Sequence, residues 1–420
     1  MKNSHILTSK ADIKKINIAA ILSVFLFSGA GTFMNAAVQT MIEAWPQLSP
    51  TMVRMVTSLP ALISLPVTIL AGSLAGKKLS FRFCGIFGTG LILVAGIAPF
   101  FLYKNWWLIL FFRALVGIGV GLVAMRNSLI LKSVSDEQKA AVIGYGSSLM
   151  NAGGMLAGPI VGAMAVLGWR VPFLFDLLAL IPILMMVFWL KEPKTEDTGN
   201  ATAGQGTVSG RKEAEISVKA STGKMDWRVI FYIVAQFLMT TALYPILSGM
   251  SSYLAANHLG TSVTAGWSNA VYCLAGALIN IVLDPVERKL GKNLFPFMCV
   301  MYSIGMGLIV FVQVVPVIFT GAILAGISFN TLMSIYQLYN GKVADLKIAT
   351  LTSTIIIAAL NLGNFMSVYY INLCHALFHR GSDIESAYFG SMLVYLIFAV
   401  VSVIFKVAPK EYYQKKTAKV

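Results

Sequence analysis

Hydrophobic residues in this chain come in long, charge-poor runs, interrupted by short polar stretches. Twelve runs can be delimited, at 17–40, 52–75, 83–103, 106–130, 140–166, 171–190, 229–254, 262–283, 294–315, 316–340, 348–377 and 386–405. Each approaches or exceeds the roughly 20 apolar residues a helix needs to cross a bilayer, so the pattern predicts an all-α membrane protein with twelve spans. The first run is too long for a signal peptide, lacks a small-residue cleavage site and is followed at once by others, so it reads as the first span. Between the sixth and seventh runs, residues 191–226 are rich in Lys, Glu, Thr, Ser and Gly and nearly devoid of large hydrophobes. Such a segment cannot bury enough apolar surface to order itself. The expected organisation is an N-terminal six-helix bundle (1–190), a flexible linker (191–226), a C-terminal six-helix bundle (227–406) and a basic tail (407–420).

Polar residues are costly inside a bilayer, so those interrupting the runs carry information. Asn35 and Gln39 lie one turn apart in the first run; Gln236, Thr240 and Tyr244 mark the seventh; Asn330, Ser334 and Gln337 mark the tenth. These spacings of three and four put each set on one helical face. Arg113, Arg126 and Asn127 fall in the fourth run, whereas the third, sixth, ninth and twelfth are more uniformly apolar. A stripe every third helix predicts four three-helix units, arranged as inverted repeats, with the first helix of each lining a common path for a small-molecule substrate. Bonding of each Asn or Gln to a neighbouring helix is the alternative.

Composition fits a membrane chain, with 57% hydrophobic and 12% charged residues against roughly 25% charged in soluble domains. The net charge of +15 could suggest nucleic acid, but its distribution does not. All Lys and Arg other than Arg54, Lys104, Arg113, Arg126, Arg170 and Arg380 fall in the N-terminus, the even-numbered loops and the tail. That bias predicts a multi-pass protein of the cell membrane, with both termini cytoplasmic and the lipid bilayer as its charged partner. The four cysteines lack paired spacing and indicate neither disulfides nor zinc. His375 and His379 have an i, i+4 spacing without further ligands nearby, so no metal or cofactor is expected. No phosphate-binding G-x-x-x-x-G-K-[ST] motif is present, and energy must come from a gradient.

Three local motifs point the same way. "GSLAGKKLSFR" (Gly72–Arg82) follows the second run, "RALVGIGVG" (Arg113–Gly121) lies in the fourth, and "GMLAGPIVGA" (Gly154–Ala163) lies in the fifth. Together they resemble the major facilitator superfamily, whose members carry G-x-L-A-D-R-x-G-R-R after helix 2, R-x-x-x-G-x-G in helix 4 and, in many antiporters, G-x-x-x-G-P-x-x-G-G in helix 5. Through the helix 5 motif the chain resembles the drug–proton antiporter type. Gly76 and Leu79 replace the aspartate and second glycine of the loop motif, so a cytoplasmic latch through that aspartate is not available, and any charged latch is to be sought after helix 8. The loop "LDPVERKLGKN" offers Asp284, Glu287 and Arg288, with either acid as the latch residue.

Of the acidic residues, only Asp176 lies well inside a run. Arg113 is seven residues beyond Trp106 and Asp176 six beyond Arg170, placing both roughly 10 Å below the outer surface at 1.5 Å rise per residue. The matched depth allows an ion pair, either a permanent link between helices 4 and 6 or a proton-sensitive one; the remaining alternative is that the two face different directions, since helix 6 should be peripheral. The resemblance implies proton coupling for Arg113, with Asp176 as partner. Arg126 lies roughly 20 Å further inward, where it either meets an anionic substrate group or snorkels to headgroups. Gly154, Gly158 and Gly162 form one smooth face for close helix packing, and Pro159 should bend that helix. These residues, with Gly72, form the expected gating set.

The leading functional expectation is a monomeric secondary transporter that exports a small organic solute by proton antiport. Proton-coupled uptake of an organic anion or nutrient is the alternative, and a non-transporting membrane sensor is a third class. An intramembrane enzyme is disfavoured because no catalytic constellation accompanies the four histidines.

Overall fold

The computed structural model describes residues 10–74, 80–126, 129–130, 136–190, 226–344, 346–409 and 411–414. Helix α1 begins as Lys10–Ser23, tightens into 3-10 turns at Val24–Phe27 and Ala30–Ala37, and ends as Val38–Ala44. Its two parts meet at 41°. Then come α2 (Pro50–Leu74), α3 (Phe81–Phe101), α4 (Trp106–Val123) and α5 (Asp136–Val166); α6 starts as a 3-10 stretch (Val171–Ala179) and continues as Leu180–Trp189. The second half contains α7 (Trp227–Ser248), α8 (Ser262–Ile281), α9 (Leu294–Phe311), α10 (Val315–Val343), α11 (Leu346–Phe378) and α12 (Asp383–Ile404). Short helices extend α7 (Met250–Ala256), bridge α8 to α9 (Leu283–Leu290) and end the described tail (Glu411–Gln414). No strand occurs among the described residues.

Polar residues at loop boundaries fix the helix starts. Side chains of Ser80, Asn105, Asp226 and Ser382 accept backbone N–H bonds at the beginnings of α3, α4, α7 and α12, satisfying donors that have no carbonyl within the helix. Among the described residues, ten helices are long and apolar enough to cross a membrane, and bent α1 makes eleven. The remaining expected span is α8, which has a span's length of 20 residues but carries Ser262, Thr264, Ser268, Asn269 and Asn280. Ser262 and Ser268 are buried, and the helix lies between α5 and α10, so its polar positions meet protein.

Two separate hydrophobic cores correspond to the two six-helix bundles. One gathers Phe33, Met34, Val56, Ile109 and Phe173; the other gathers Tyr232, Met239, Tyr302, Tyr336 and Tyr395. The second core is rich in tyrosine, and several hydroxyls find backbone acceptors, as buried phenols require: Tyr253 bonds Ile309 O at 2.7 Å and Tyr395 bonds Met239 O at 3.0 Å. Large apolar residues such as Val94, Phe188, Ile281 and Val403 point outward, as lipid contact demands. The linker expected at 191–226 lies outside the described residues except for Asp226. The expected tail, by contrast, is packed at its start: Val407 and Ala408 are buried, and Val407 O accepts the Tyr232 hydroxyl at 2.7 Å. Below, the face carrying the starts of α1 and α7 and the Glu411–Gln414 helix is called the tail face, and its opposite the far face.

Candidate substrate path and gating site

Arg113 has no exposure to solvent. Its Nε donates to Val56 O at 2.8 Å, and Nη2 donates to Gly31 O at 2.7 Å and Ala30 O at 3.3 Å. Local sequence makes these carbonyls available. Pro60 lies inside α2 and has no N–H to return to Val56 four residues earlier, while Ala30 and Gly31 lie just past the bend of α1. The other amino group, Nη1, stands 3.7 Å from Asp176 Oδ2, a charge contact longer than a hydrogen bond. Asp176 is equally buried, in the 3-10 start of α6. Gly96 of α3 provides its space, since a Cβ there would overlap the carboxylate. The pair expected from matched depth is therefore present, and one cation ties together α1, α2, α4 and α6.

Gly154, Gly158 and Gly162 of α5 face α8. A Cβ on Gly158 would overlap Gly266 O, one on Gly266 would overlap Gly158 O, and one on Gly162 would overlap Ser262 O. Gly154 stands against Cys273 Sγ. Because α5 belongs to one bundle and α8 to the other, the small-residue face forms a seam between halves, with backbone against backbone. Pro159 is accommodated within a continuous α5. Gly72 lies near the end of α2, while Ala75–Leu79 of the loop motif lie outside the described residues.

At the far face, polar contacts bridge the halves. Arg54 of α2, 2% exposed, pairs with Asp383 at the start of α12 at 2.8 Å. The side chains of Thr51 and Asn372 exchange hydrogen bonds at 3.1 and 2.9 Å. Gln39 N donates to Ser251 Oγ at 3.3 Å, and Gln39 Nε2 donates to Glu43 Oε1 at 2.9 Å. Gln39 thus belongs to the far-face closure. Arg54 and Asp383 were missed in the sequence because each lies at a helix end, where a charge is unremarkable.

The other polar positions divide by environment. Asn35 is buried, and its Oδ1 has no hydrogen-bond partner among the described residues. Gln236 and Thr240 are buried, joined by a 2.8 Å bond from Gln236 Nε2 to Thr240 Oγ1, and Thr240 packs on Gly363 of α11. Tyr244 is half-buried. Asn330, Ser334 and Gln337 form a half-buried stripe on α10; Ser334 Oγ donates to Asn280 Oδ1 at 3.2 Å, and the Asn330 amide fills the space beside Gly276 of α8. Arg126 places its guanidinium 4.5 Å from the Phe25 ring centre and donates to Val123 O at 3.3 Å. It has no carboxylate partner among the described residues. Asn127 lies outside them.

The charged cluster expected after α8 resolves to Glu287, which pairs with Lys342 of α10 at 3.3 Å and accepts the Tyr412 hydroxyl. Lys342 also donates to Tyr412 Oη at 2.6 Å. Asp284 and Arg288 are exposed and take no part. The cluster joins elements of the C-terminal bundle to the tail.

A family model described as Major Facilitator Superfamily matches residues 18–368. Among characterised proteins, the chain is 31% identical over 153 residues to the hexuronate transporter of Bacillus subtilis (strain 168), covering 35% of this chain and 34% of that protein. It is 28% identical over 215 residues to quinolone resistance protein NorA of Staphylococcus aureus (strain MRSA252), covering 50% of this chain and 49% of that protein. The matched stretches thus span about a third and about half of those relatives. Among solved structures, a bacterial homolog of the human lysosomal transporter Spinster, inward-facing and unoccupied, superposes with TM-score 0.69 at 14% identity over 97% of this chain and 99% of that one. A D-xylose–proton symporter gives 0.67 at 15% identity, over 94% and 97%. These likenesses establish the fold.

Proposed function

Because the chain belongs to the major facilitator superfamily, a family of transporters, we propose that it moves a small organic solute across the cell membrane by alternating access, as a proton-coupled exporter. The carrying observation is the pairing of a glycine seam between α5 and α8 with a far face held shut by Arg54–Asp383. A smooth backbone seam permits one bundle to rock on the other, while a breakable ion pair sets which face opens. With the tail face cytoplasmic, as the charge bias favours, the arrangement corresponds to a state closed to the outside. The glycine–proline motif in α5 and the partial match to a quinolone resistance protein support export.

In this proposal Asp176 carries the proton. Protonation removes its charge from beside Arg113, leaving the guanidinium held by Val56, Gly31 and Ala30 alone and altering its grip on the bend of α1. The substrate path runs between the half-buried stripe of α10, Tyr244 and Asn35. Reconstitution into liposomes tests coupling: an imposed pH gradient should drive solute flux in the parent protein and much less in Arg113→Ala and Asp176→Asn. Unchanged gradient-driven flux in both variants would exclude that pair from coupling.

A second reading, uptake of an organic anion, is favoured by Arg126, whose charge meets no carboxylate among the described residues, and by the partial match to a hexuronate transporter. Inside-out vesicles separate the two readings. An inward-acid gradient there would accumulate an exported solute and would not accumulate one that enters the cell by proton symport.

A further inference from the structure

The far face of the N-terminal bundle contains a cavity of about 360 Å³ that belongs neither to the seam nor to the polar path. It lies where the three far-face loops of that bundle converge. Trp45 and Gln47 come from the α1–α2 loop, Tyr103 and Lys104 from the α3–α4 loop, and Trp169 and Arg170 from the α5–α6 loop. Edge-on ring contacts fix the walls: Trp45–Trp169 at 5.9 Å and Tyr103–Trp169 at 6.4 Å. Gly168 turns the chain there at φ +142°, a conformation open to glycine, and brings Arg170 to 4.0 Å over the Tyr103 ring.

The cavity carries two cations and no acid. Neither Lys104 nor Arg170 has a carboxylate partner among the described residues, and the nearby Glu43 is engaged by Gln39. Two positive groups and aromatic walls suit a phosphate-bearing ligand. The surroundings specify its source. Leu102, 49% exposed, precedes Lys104 by two residues, and Leu167, 77% exposed, precedes Arg170 by three. Phe101, Trp107 and Val166 are also exposed on the same helix ends. An apolar surface therefore adjoins a basic, aromatic cavity at headgroup depth.

We propose that this cavity binds the headgroup of an acidic phospholipid in the far-face leaflet, with its acyl chains lying along Leu102, Val166 and Leu167. Three loops of one bundle would then be anchored by a single lipid.

Native mass spectrometry of the purified protein, titrated with phosphatidylglycerol or phosphatidylcholine, tests the assignment. The parent protein should retain phosphatidylglycerol in preference. At about 1 kcal/mol per interfacial cation, the double variant Lys104→Gln/Arg170→Gln should lose roughly thirtyfold in phosphatidylglycerol affinity while binding phosphatidylcholine as before. The charge-retaining Lys104→Arg/Arg170→Lys should keep the preference, which separates lost charge from lost folding. Equal retention of the two lipids by the parent, or an unchanged preference in the Gln variant, would overturn the proposal. Displacement of the lipid by inorganic phosphate at similar concentration would assign the site to a free anion and overturn it too.

Discussion

Neutralising Asp383 while keeping its shape should unlock the far face. In Asp383→Asn the replaced side chain can still accept the Ile384 N–H that Asp383 Oδ1 accepts at 2.8 Å, and Ser382 still caps α12, so the helix start survives. The 2.8 Å pair with Arg54 does not. Arg54 is 2% exposed and Asp383 31%, so its strength falls between an exposed pair, about 1 kcal/mol or less, and a buried one, about 3–5 kcal/mol. A value of about 2 kcal/mol corresponds to a roughly thirtyfold shift in the open-to-closed ratio. Ser251 provides the reporter, since it is buried at the closure beneath Gln39. In nanodiscs, a cysteine at Ser251 should react with a maleimide in proportion to the open fraction, against the slow background of the native cysteines. The rate should rise by up to about thirtyfold in Asp383→Asn and fall back when Arg54→Asp is combined with Asp383→Arg. An unchanged rate in Asp383→Asn would refute the idea that this pair holds the face shut.

Three further outcomes follow from the packing. Gly158→Leu should reach the membrane yet lose gradient-driven transport, because its side chain must occupy the space of Gly266; retained flux would reduce the seam to ordinary packing. Gly96→Ala should lower thermal stability by about 1–3 kcal/mol through overpacking, and combining it with Asp176→Ala should be less damaging than the sum of the two, as read from paired melting curves. Glu287→Gln should free the tail, raising its cleavage in limited proteolysis a few-fold, with about 1 kcal/mol or less lost in stability.

The all-α, membrane-spanning class and the division into two bundles were legible because a bilayer imposes length and hydropathy on every span. The Arg113–Asp176 pair was legible for a related reason: helical rise converts sequence offsets into depth. Direction around a helix was harder to read. The stripe of Gln236 and Thr240 suggested a water-lined face, yet Gln236 bonds Thr240 and the latter packs on Gly363; spacing cannot distinguish a satisfied pair from an exposed one. The partner of the α5 glycines was hidden because the glycines of α8, Gly266 and Gly276, lie ten residues apart and make no four-residue glycine repeat. The role of Pro60 was hidden as well, since a missing N–H matters only when a donor from another helix arrives to replace it.

That replacement bears on where the molecule can flex. The guanidinium of Arg113 substitutes for a proton donor absent from α2 and grips α1 at its bend, so sliding any of these helices past another would strand buried carbonyls, each worth about 1–3 kcal/mol unsatisfied. The N-terminal half is therefore a stiff lever, pinned from within at a single charge. Its joint with the other half is lined by Gly158 and Gly266, whose missing side chains leave little to interlock. Movement should concentrate in that bearing, and substitutions that loosen the Arg113 grip should blur the stroke of the lever before they stop it.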